Sequence, residues 1–188
     1  MAENISIIRE KLQAAAVEEL PVLFSAYESD ARAGVQAEIA RAKKRILSHE
    51  KEVRRTEALK RYEREYDAYA YICGIDEVGR GPLAGPVVAG AVILPKNCGI
   101  LYINDSKKLS EKKREELYEV IMEKAAAVGL GYSTPERIDE INILQATYEA
   151  MREAVSKLEP QPDLLLNDAV TIPGILMKQV PIIKGDAQ

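Results

Sequence analysis

The apolar positions of residues 1–70 have helical spacing. Asn4 is placed to cap a first helix, and Pro21 interrupts the pattern that follows. From "ESDARAG" onward a longer helix is predicted, because apolar residues recur at intervals of four and three, the spacing of a helix packed lengthwise on another. The members of this seam are Val35, Ile39, Ala42, Ile46, His49 and Val53. His49, the only histidine, is therefore interpreted as a packed or partly exposed helix residue.

Beyond this helical part the pattern changes to short apolar runs separated by turns and amphipathic helices, which is typical of an α/β domain. "YICGID" and "GPVVAGAVIL" predict two strands close enough in sequence to pair antiparallel. Ser110 is predicted to cap a helix through "EKKREELYEVIMEKAAA", and Thr134 to begin a helical region that ends near Leu158. "DLLLNDAV" and "PIIKGDA" predict two further strands. The domains predicted are a helical N-terminal extension, residues 1–70, and an α/β domain, residues 71–188.

Composition favours a soluble, cytoplasmic protein. The chain of 188 residues is 47% hydrophobic and 30% charged, and it contains no apolar run long enough to span a membrane. Cys73 and Cys98 lack the spacing of a zinc site and are predicted to be packing residues. The net charge of −4 argues weakly against nucleic acid, but residues 41–64 hold ten Lys or Arg against four Glu. This segment can dock on phosphates or form a solvated helix face with internal ion pairs.

Four acidic residues follow the apolar runs of the α/β domain: Asp76, Glu77, Asp168 and Asp186. Side chains alternate along a strand, so the adjacent pair can share one site only if the chain leaves strand geometry there, which Gly79 and Gly81 permit. Oxygen ligands without His or Cys suit Mg²⁺ or Mn²⁺, and two such ions can hydrolyse a phosphodiester. The alternative is that these acids are helix caps and turn residues.

The segment after the first acidic pair, "GRGPLAG", also fits a degenerate dinucleotide-binding fingerprint through Gly79, Gly81 and Ala84. That fingerprint requires a helix next, whereas here prolines and a β-branched strand follow, so a nucleotide cofactor is disfavoured. The loop instead offers bare backbone groups and Arg80 at the edge of the carboxylates, suited to close approach of a sugar and phosphate.

Three blocks of this sequence resemble bacterial ribonuclease HII: "GIDEVGRGPLAGPVVAGAVIL", "NDSKKLSEKKRE" and "IIKGDA". The helical leader resembles that of the Bacillus-type members. The resemblance implies a ribonuclease H-like fold, a mixed five-stranded sheet flanked by helices. It also implies metal-dependent endonucleolytic cleavage of RNA in RNA–DNA hybrids, and cleavage on the 5′ side of ribonucleotides embedded in duplex DNA. No obligate protein partner is inferred.

By the same resemblance, the four acids are the metal ligands and catalytic residues, with Mn²⁺ or Mg²⁺ as the cofactor. The loop Gly79, Arg80 and Gly81 aligns with the segment that recognises the 2′-hydroxyl, the group that distinguishes ribose from deoxyribose. Candidate phosphate contacts are Lys107, Lys108 and Lys184. For these three the alternative is a solubilising role at the surface.

Two departures from the family pattern bear on activity. Many members have Asp-Gly where this chain has Asp168 and Ala169, preceded by Asn167; the acid is kept. The family also continues for several tens of residues beyond its last catalytic Asp, whereas this chain ends at Gln188, so a C-terminal truncation is expected. The alternative function is therefore a form that binds hybrid duplex without cleaving it. A two-metal DNA exonuclease is disfavoured because it has no use for the glycine loop.

Overall fold

The computed structural model describes residues 3–82, 84–168 and 170–182, and the chain divides into compact units of residues 1–57 and 58–188. The first unit contains helices α1 (Ile5–Ala14), α2 (Leu20–Ser25) and most of α3 (Ala33–Leu59). Asn4 caps α1 as predicted, because its side chain accepts a hydrogen bond from the Ser6 backbone N–H. The unit has its own core of Ile8, Leu12, Leu20, Phe24, Val35, Ile39 and Ala42.

The predicted seam of α3 is buried only along its first half. Val35, Ile39 and Ala42 are buried, whereas Val53 is 38% exposed. The two helices that pack against α3 in the same core are 10 and 6 residues long, too short to cover a helix of 27 residues. His49 is half-buried with its Nε2 3.7 Å from Glu18 Oε1, which confirms its interpretation as a partly exposed helix residue.

Several basic residues of α3 are engaged within the first unit. Arg45 donates from Nη1 to the Leu12 carbonyl (2.6 Å) and from Nη2 to the Ala15 carbonyl (3.1 Å), and so satisfies the C-terminal carbonyls of α1. Arg41 forms an ion pair at 2.6 Å with the buried Glu38. Part of the basic excess therefore stabilises the helices, in line with the solvated-face alternative.

The second unit is built on a mixed five-stranded sheet of order β3-β2-β1-β4-β5. Its strands are β1 (Ile72–Val78), β2 (Val87–Ile93), β3 (Ala127–Ser133), β4 (Leu164–Asp168) and β5 (Lys178–Ile182). β2 pairs antiparallel with β1, as predicted, and with β3, whereas β4 pairs parallel with β1 and β5. Its helices are α4 (Arg61–Glu65), α5 (Glu111–Lys124), α6 (Pro135–Ile141) and α7 (Ile143–Ser156), with a 3₁₀ turn at Ser106–Lys108. The predicted fold class is confirmed.

One prediction of local structure was wrong. The helix capped by Ser110 ends at Lys124, and the residues that follow form β3, a strand the sequence did not predict. The helical region predicted after Thr134 is confirmed. It consists of two helices, because Asn142 has φ of 71° and caps α7 through its side chain.

Helix α7 covers one face of the sheet and forms the core of the second unit. Ala150, Met151, Ala154 and Val155 from α7 are buried against Cys73 and Ile75 of β1 and against β2. A Cβ on Gly131 of β3 would lie 2.7 Å from the Ala154 backbone N and inside the van der Waals distance of the Ala150 carbonyl oxygen. The helix therefore sits directly on the glycine backbone of β3.

Candidate metal and substrate site

Asp76 and Asp168 are neighbours on the face of the sheet opposite α7. The parallel register pairs Ile75 of β1 with Asn167 of β4, and each acid is the next residue of its strand. Both side chains are exposed. Neighbouring strands lie about 4.8 Å apart and paired residues share a face, so the two carboxylates stand side by side. This adjacency was expected from their places at strand ends.

Glu77 lies on the opposite face from Asp76. β1 remains a regular strand to Val78, paired with β2 through both acids, so the expected departure from strand geometry does not occur. By alternation Glu77 shares the face of Ile75, towards α7. Its carboxylate is 17% exposed and accepts a hydrogen bond of 3.0 Å from Arg80 Nη1. Arg80 therefore neutralises Glu77 at the end of β1.

The glycines of the loop after β1 have different structural requirements. Gly79 has φ of 101°, and a Cβ there would collide with the Pro86 carbonyl oxygen and lie 3.3 Å from Val87 Cα. The fold itself therefore demands glycine at this position. Gly81 is exposed and has no positive φ, and a Cβ there would meet no described atom within 4 Å. Its backbone is open to approach by another molecule.

The remaining predicted site residues lie on a separate turn or outside the described part. Lys107 and Lys108 are exposed on the 3₁₀ turn, which Asp105 caps by accepting a hydrogen bond from the Lys107 backbone N–H. Asp186 and Lys184 fall among residues 183–188, which the structure does not describe. Among the described residues no three His, Cys, Asp or Glu side chains are grouped so as to hold a metal ion.

The face of the sheet that carries Asp76 and Asp168 also borders a cavity. A cavity of about 500 Å³ lies against Ile72 and Gly74 of β1 and Leu166 of β4, which alternate with the two acids along the same face.

On the other face, burial raises the pKa of the Cys73 thiol to about 12, so this side chain stays neutral. Cys73 is thus a packing residue, as predicted.

One polar pair beside the acids was missed by sequence reasoning. Asn167 is 1% exposed and its Nδ2 donates to Gln179 Oε1 of β5 at 2.8 Å. The available signal was an amide within the apolar run "LLLND", where an unpaired polar group would be costly.

The fold corresponds to the ribonuclease H-like class of α/β protein. The crystal structure of ribonuclease H2 from Pyrococcus horikoshii OT3 matches with a TM-score of 0.52 at 24% identity, covering 62% of this chain and 64% of that chain. The Ribonuclease HII family profile matches residues 73–187, and the Ribonuclease HII N-terminal domain profile matches residues 4–67. The chain belongs to the ribonuclease HII family.

Two curated relatives, both named Ribonuclease HII, are similar over most of the chain. The protein of Lachnoclostridium phytofermentans is 62% identical over 162 residues, which is 86% of this chain and 64% of that protein. The protein of Clostridioides difficile is 47% identical over 188 residues, which is 99% of this chain and 74% of that protein. The chain thus spans about two thirds to three quarters of the length of these relatives. Within its described residues no helix is long and apolar enough to cross a membrane.

Proposed function

We propose that this chain is a ribonuclease that hydrolyses the RNA strand of RNA–DNA hybrids and cuts on the 5′ side of ribonucleotides embedded in duplex DNA. Membership of the ribonuclease HII family supports the reaction class. The observation that carries the proposal is the pair Asp76 and Asp168, exposed side by side on neighbouring parallel strands next to an open glycine loop.

The donor chemistry of the site fits hard divalent cations. Asp76 and Asp168 offer carboxylate oxygens on one face, which Mg²⁺ and Mn²⁺ prefer. We assign Glu77 and Asp186 as further ligands. For Glu77, which lies on the opposite face of the sheet from Asp76, this requires the end of β1 to leave strand geometry and the contact with Arg80 to be lost. When bound, two cations would lower the pKa of an attacking water and stabilise charge on the leaving oxygen.

The protein's own contribution to specificity is assigned to the loop after β1. At Gly81 the backbone is exposed with no side chain, and the glycine is not needed by the fold of the described residues. A ribose can therefore approach this backbone closely enough for its 2′-hydroxyl to be hydrogen-bonded, which deoxyribose cannot offer. Gly79 shapes the loop, and Arg80 supplies positive charge at its edge.

Phosphate contacts are assigned to three lysines, of which Lys107 and Lys108 are exposed. Lys107 and Lys108 are adjacent on a 3₁₀ turn capped by Asp105, and Lys184 precedes Asp186 in sequence. Such contacts position a duplex without reading its sequence, and they make binding depend on salt concentration.

The test is strand scission on three matched duplexes, one with a single ribonucleotide, one RNA–DNA hybrid and one all-DNA, with Mn²⁺ or Mg²⁺. The expected products are a 3′-hydroxyl and a 5′-phosphate from the first two duplexes only. Asp76→Asn should lose more than about 90% of the rate, because an amide cannot carry the charge that holds the cations. Glu119→Gln, the same change at an exposed site on α5, is the matched control and should leave the rate unchanged.

The outcomes separate the competing functions. Tight binding of hybrid without scission would identify a binding module that does not cut. Degradation of the all-DNA duplex from its ends would identify an exonuclease and refute the role of the glycine loop. Full activity of Asp76→Asn would refute the metal site.

A further inference from the structure

Asn167 directly precedes Asp168 at the end of β4. It is almost completely buried, 1% exposed, in a strand whose first three residues are leucines. Its Nδ2 donates two hydrogen bonds, to the Val170 carbonyl at 3.2 Å and to Gln179 Oε1 at 2.8 Å. The amide nitrogen thus has two partners, whereas the buried Asn167 Oδ1 has none among the described residues. The two Nδ2 bonds restrain their surroundings, because losing either would leave a further desolvated polar group.

The bond to Val170 restrains Asp168 directly. Asn167 precedes the acid and Val170 comes two residues after it, so this hydrogen bond closes a small ring of chain that contains the acid. Without the bond, this ring would open. The direction of the Asp168 carboxylate therefore depends on a side chain that points to the opposite face of the sheet.

Gln179 of β5 extends this restraint to the whole connection between β4 and β5. Its Oε1 also accepts from the Ile172 backbone N–H at 2.7 Å. Its Nε2 donates to the Ile172 carbonyl at 3.0 Å and to the Ile175 carbonyl at 3.2 Å. The half-buried Gln179 amide thus connects both strands and the segment between them, and β5 is the strand that continues in sequence towards Asp186.

We infer that the Asn167–Gln179 amide pair is a positioning device for the cation site: it holds Asp168, and the strand that leads to Asp186, in the geometry that binds divalent metal. The inference rests on the proposed function, because it assigns the pair a role towards the metal ligands. Partners that orient metal ligands typically contribute about 10–100-fold to metal affinity. Neither amide touches the metal or the substrate in this assignment.

The experiment measures Mn²⁺ affinity by calorimetry on the 188-residue chain, without nucleic acid, beside thermal unfolding of each variant. Asn167→Leu and Gln179→Met keep the side-chain volume and remove the amide. Each should raise the Kd for Mn²⁺ by about tenfold or more. Gln179→Met leaves Asn167 in place, so it carries the test by itself if Asn167→Leu does not fold.

Two controls separate positioning from a general loss of stability. Gln161 also donates a side-chain hydrogen bond to a backbone carbonyl, to Leu158 at 2.7 Å, but before the start of β4. Gln161→Met should therefore keep the parent's Kd for Mn²⁺. Val155→Ala removes buried volume from α7 and lowers stability without touching the amide pair, and it too should keep the parent's Kd.

The results distinguish the inference from the proposed function. If the parent binds Mn²⁺ and both amide variants bind it equally well, the pair is structural only and the inference is overturned, while the metal site stands. If affinity falls equally in Val155→Ala, loss of stability explains the effect and the inference is again overturned. A parent that binds no Mn²⁺ overturns both. Weakened binding confined to the two amide variants supports the inference.

Discussion

The contact between α7 and the glycines of β3 makes a sharp prediction for Gly131→Ala. The added Cβ would collide with the Ala150 carbonyl oxygen and lie 2.7 Å from the Ala154 backbone N. Both atoms belong to the helix backbone, so no side-chain rotation can relieve the overlap. The helix must move away from the sheet, and its packing on β1 and β2 must loosen with it.

The expected cost of Gly131→Ala follows from this geometry. Overpacking a core costs about 1–3 kcal/mol, and a clash with immovable backbone belongs at the upper end, about 3 kcal/mol. For a chain of this size each kcal/mol lowers Tm by about 2–4 °C, so a drop of about 6–12 °C is expected in a thermal unfolding scan followed by circular dichroism.

Gly90→Ala in β2 is the matched control. A Cβ at Gly90 would meet only Leu130 Cδ2, at an ordinary 3.8 Å. This variant should stay within about 1 kcal/mol of the parent, since alanine also reduces the freedom of the unfolded chain. Equal Tm values for the two variants would refute the claim that α7 rests on the glycine backbone.

Three further predictions concern the loop, the first unit and pH. Gly81→Ala should leave Tm almost unchanged but reduce discrimination between ribose and deoxyribose duplexes. Gly79→Ala should lower the free energy of unfolding by about 1–3 kcal/mol, because alanine is strained at that backbone angle. Equal effects of the two variants on Tm would contradict the assignment. Arg45→Met should lose about 1–3 kcal/mol in urea unfolding, because two carbonyls at the end of α1 lose their donor, and the exposed Lys44→Met should not. Burial raises the pKa of the Cys73 thiol to about 12 in the folded chain, so the neutral thiol favours the folded state fully below about pH 8.5. As pH rises towards 12 this contribution is lost, and the free energy of unfolding should fall by about 2 kcal/mol at pH 10. Cys73→Ala should remove this part of the pH dependence, and an unchanged slope of unfolding free energy against pH would refute it.

The elements that the sequence predicted are those encoded by local signals. Asn4, Ser110 and Thr134 each precede a helix and accept a hydrogen bond from its first turn. Strand β3 was missed because "AVGLGYS" carries two glycines, which weaken a strand signal. Those glycines are explained only by α7 lying against them, a contact between distant segments.

The candidate site was likewise predictable only where local signals encode it. The adjacency of Asp76 and Asp168 was predictable because both acids end apolar runs that belong in one sheet. The position of Glu77 on the opposite face of the sheet was not predicted, since it depends on β2 pairing with β1 beyond the two acids. The Asn167–Gln179 pair depends on the parallel pairing of β4 with β5, which no local pattern reveals.

The parallel pairing of β1 with β4 also has a consequence for the order of folding. Strands β1, β2 and β3 form an antiparallel ladder from consecutive strands, whereas β4 must reach β1 from far along the chain. Long-range parallel pairing is slow, because the closure entropy is lost before the contacts are gained. We therefore expect Asp168 to join Asp76 late in folding. A nascent or partly unfolded chain has no paired carboxylates, and we expect it to have no hydrolytic capacity towards nucleic acid until the rest of its sheet is in place.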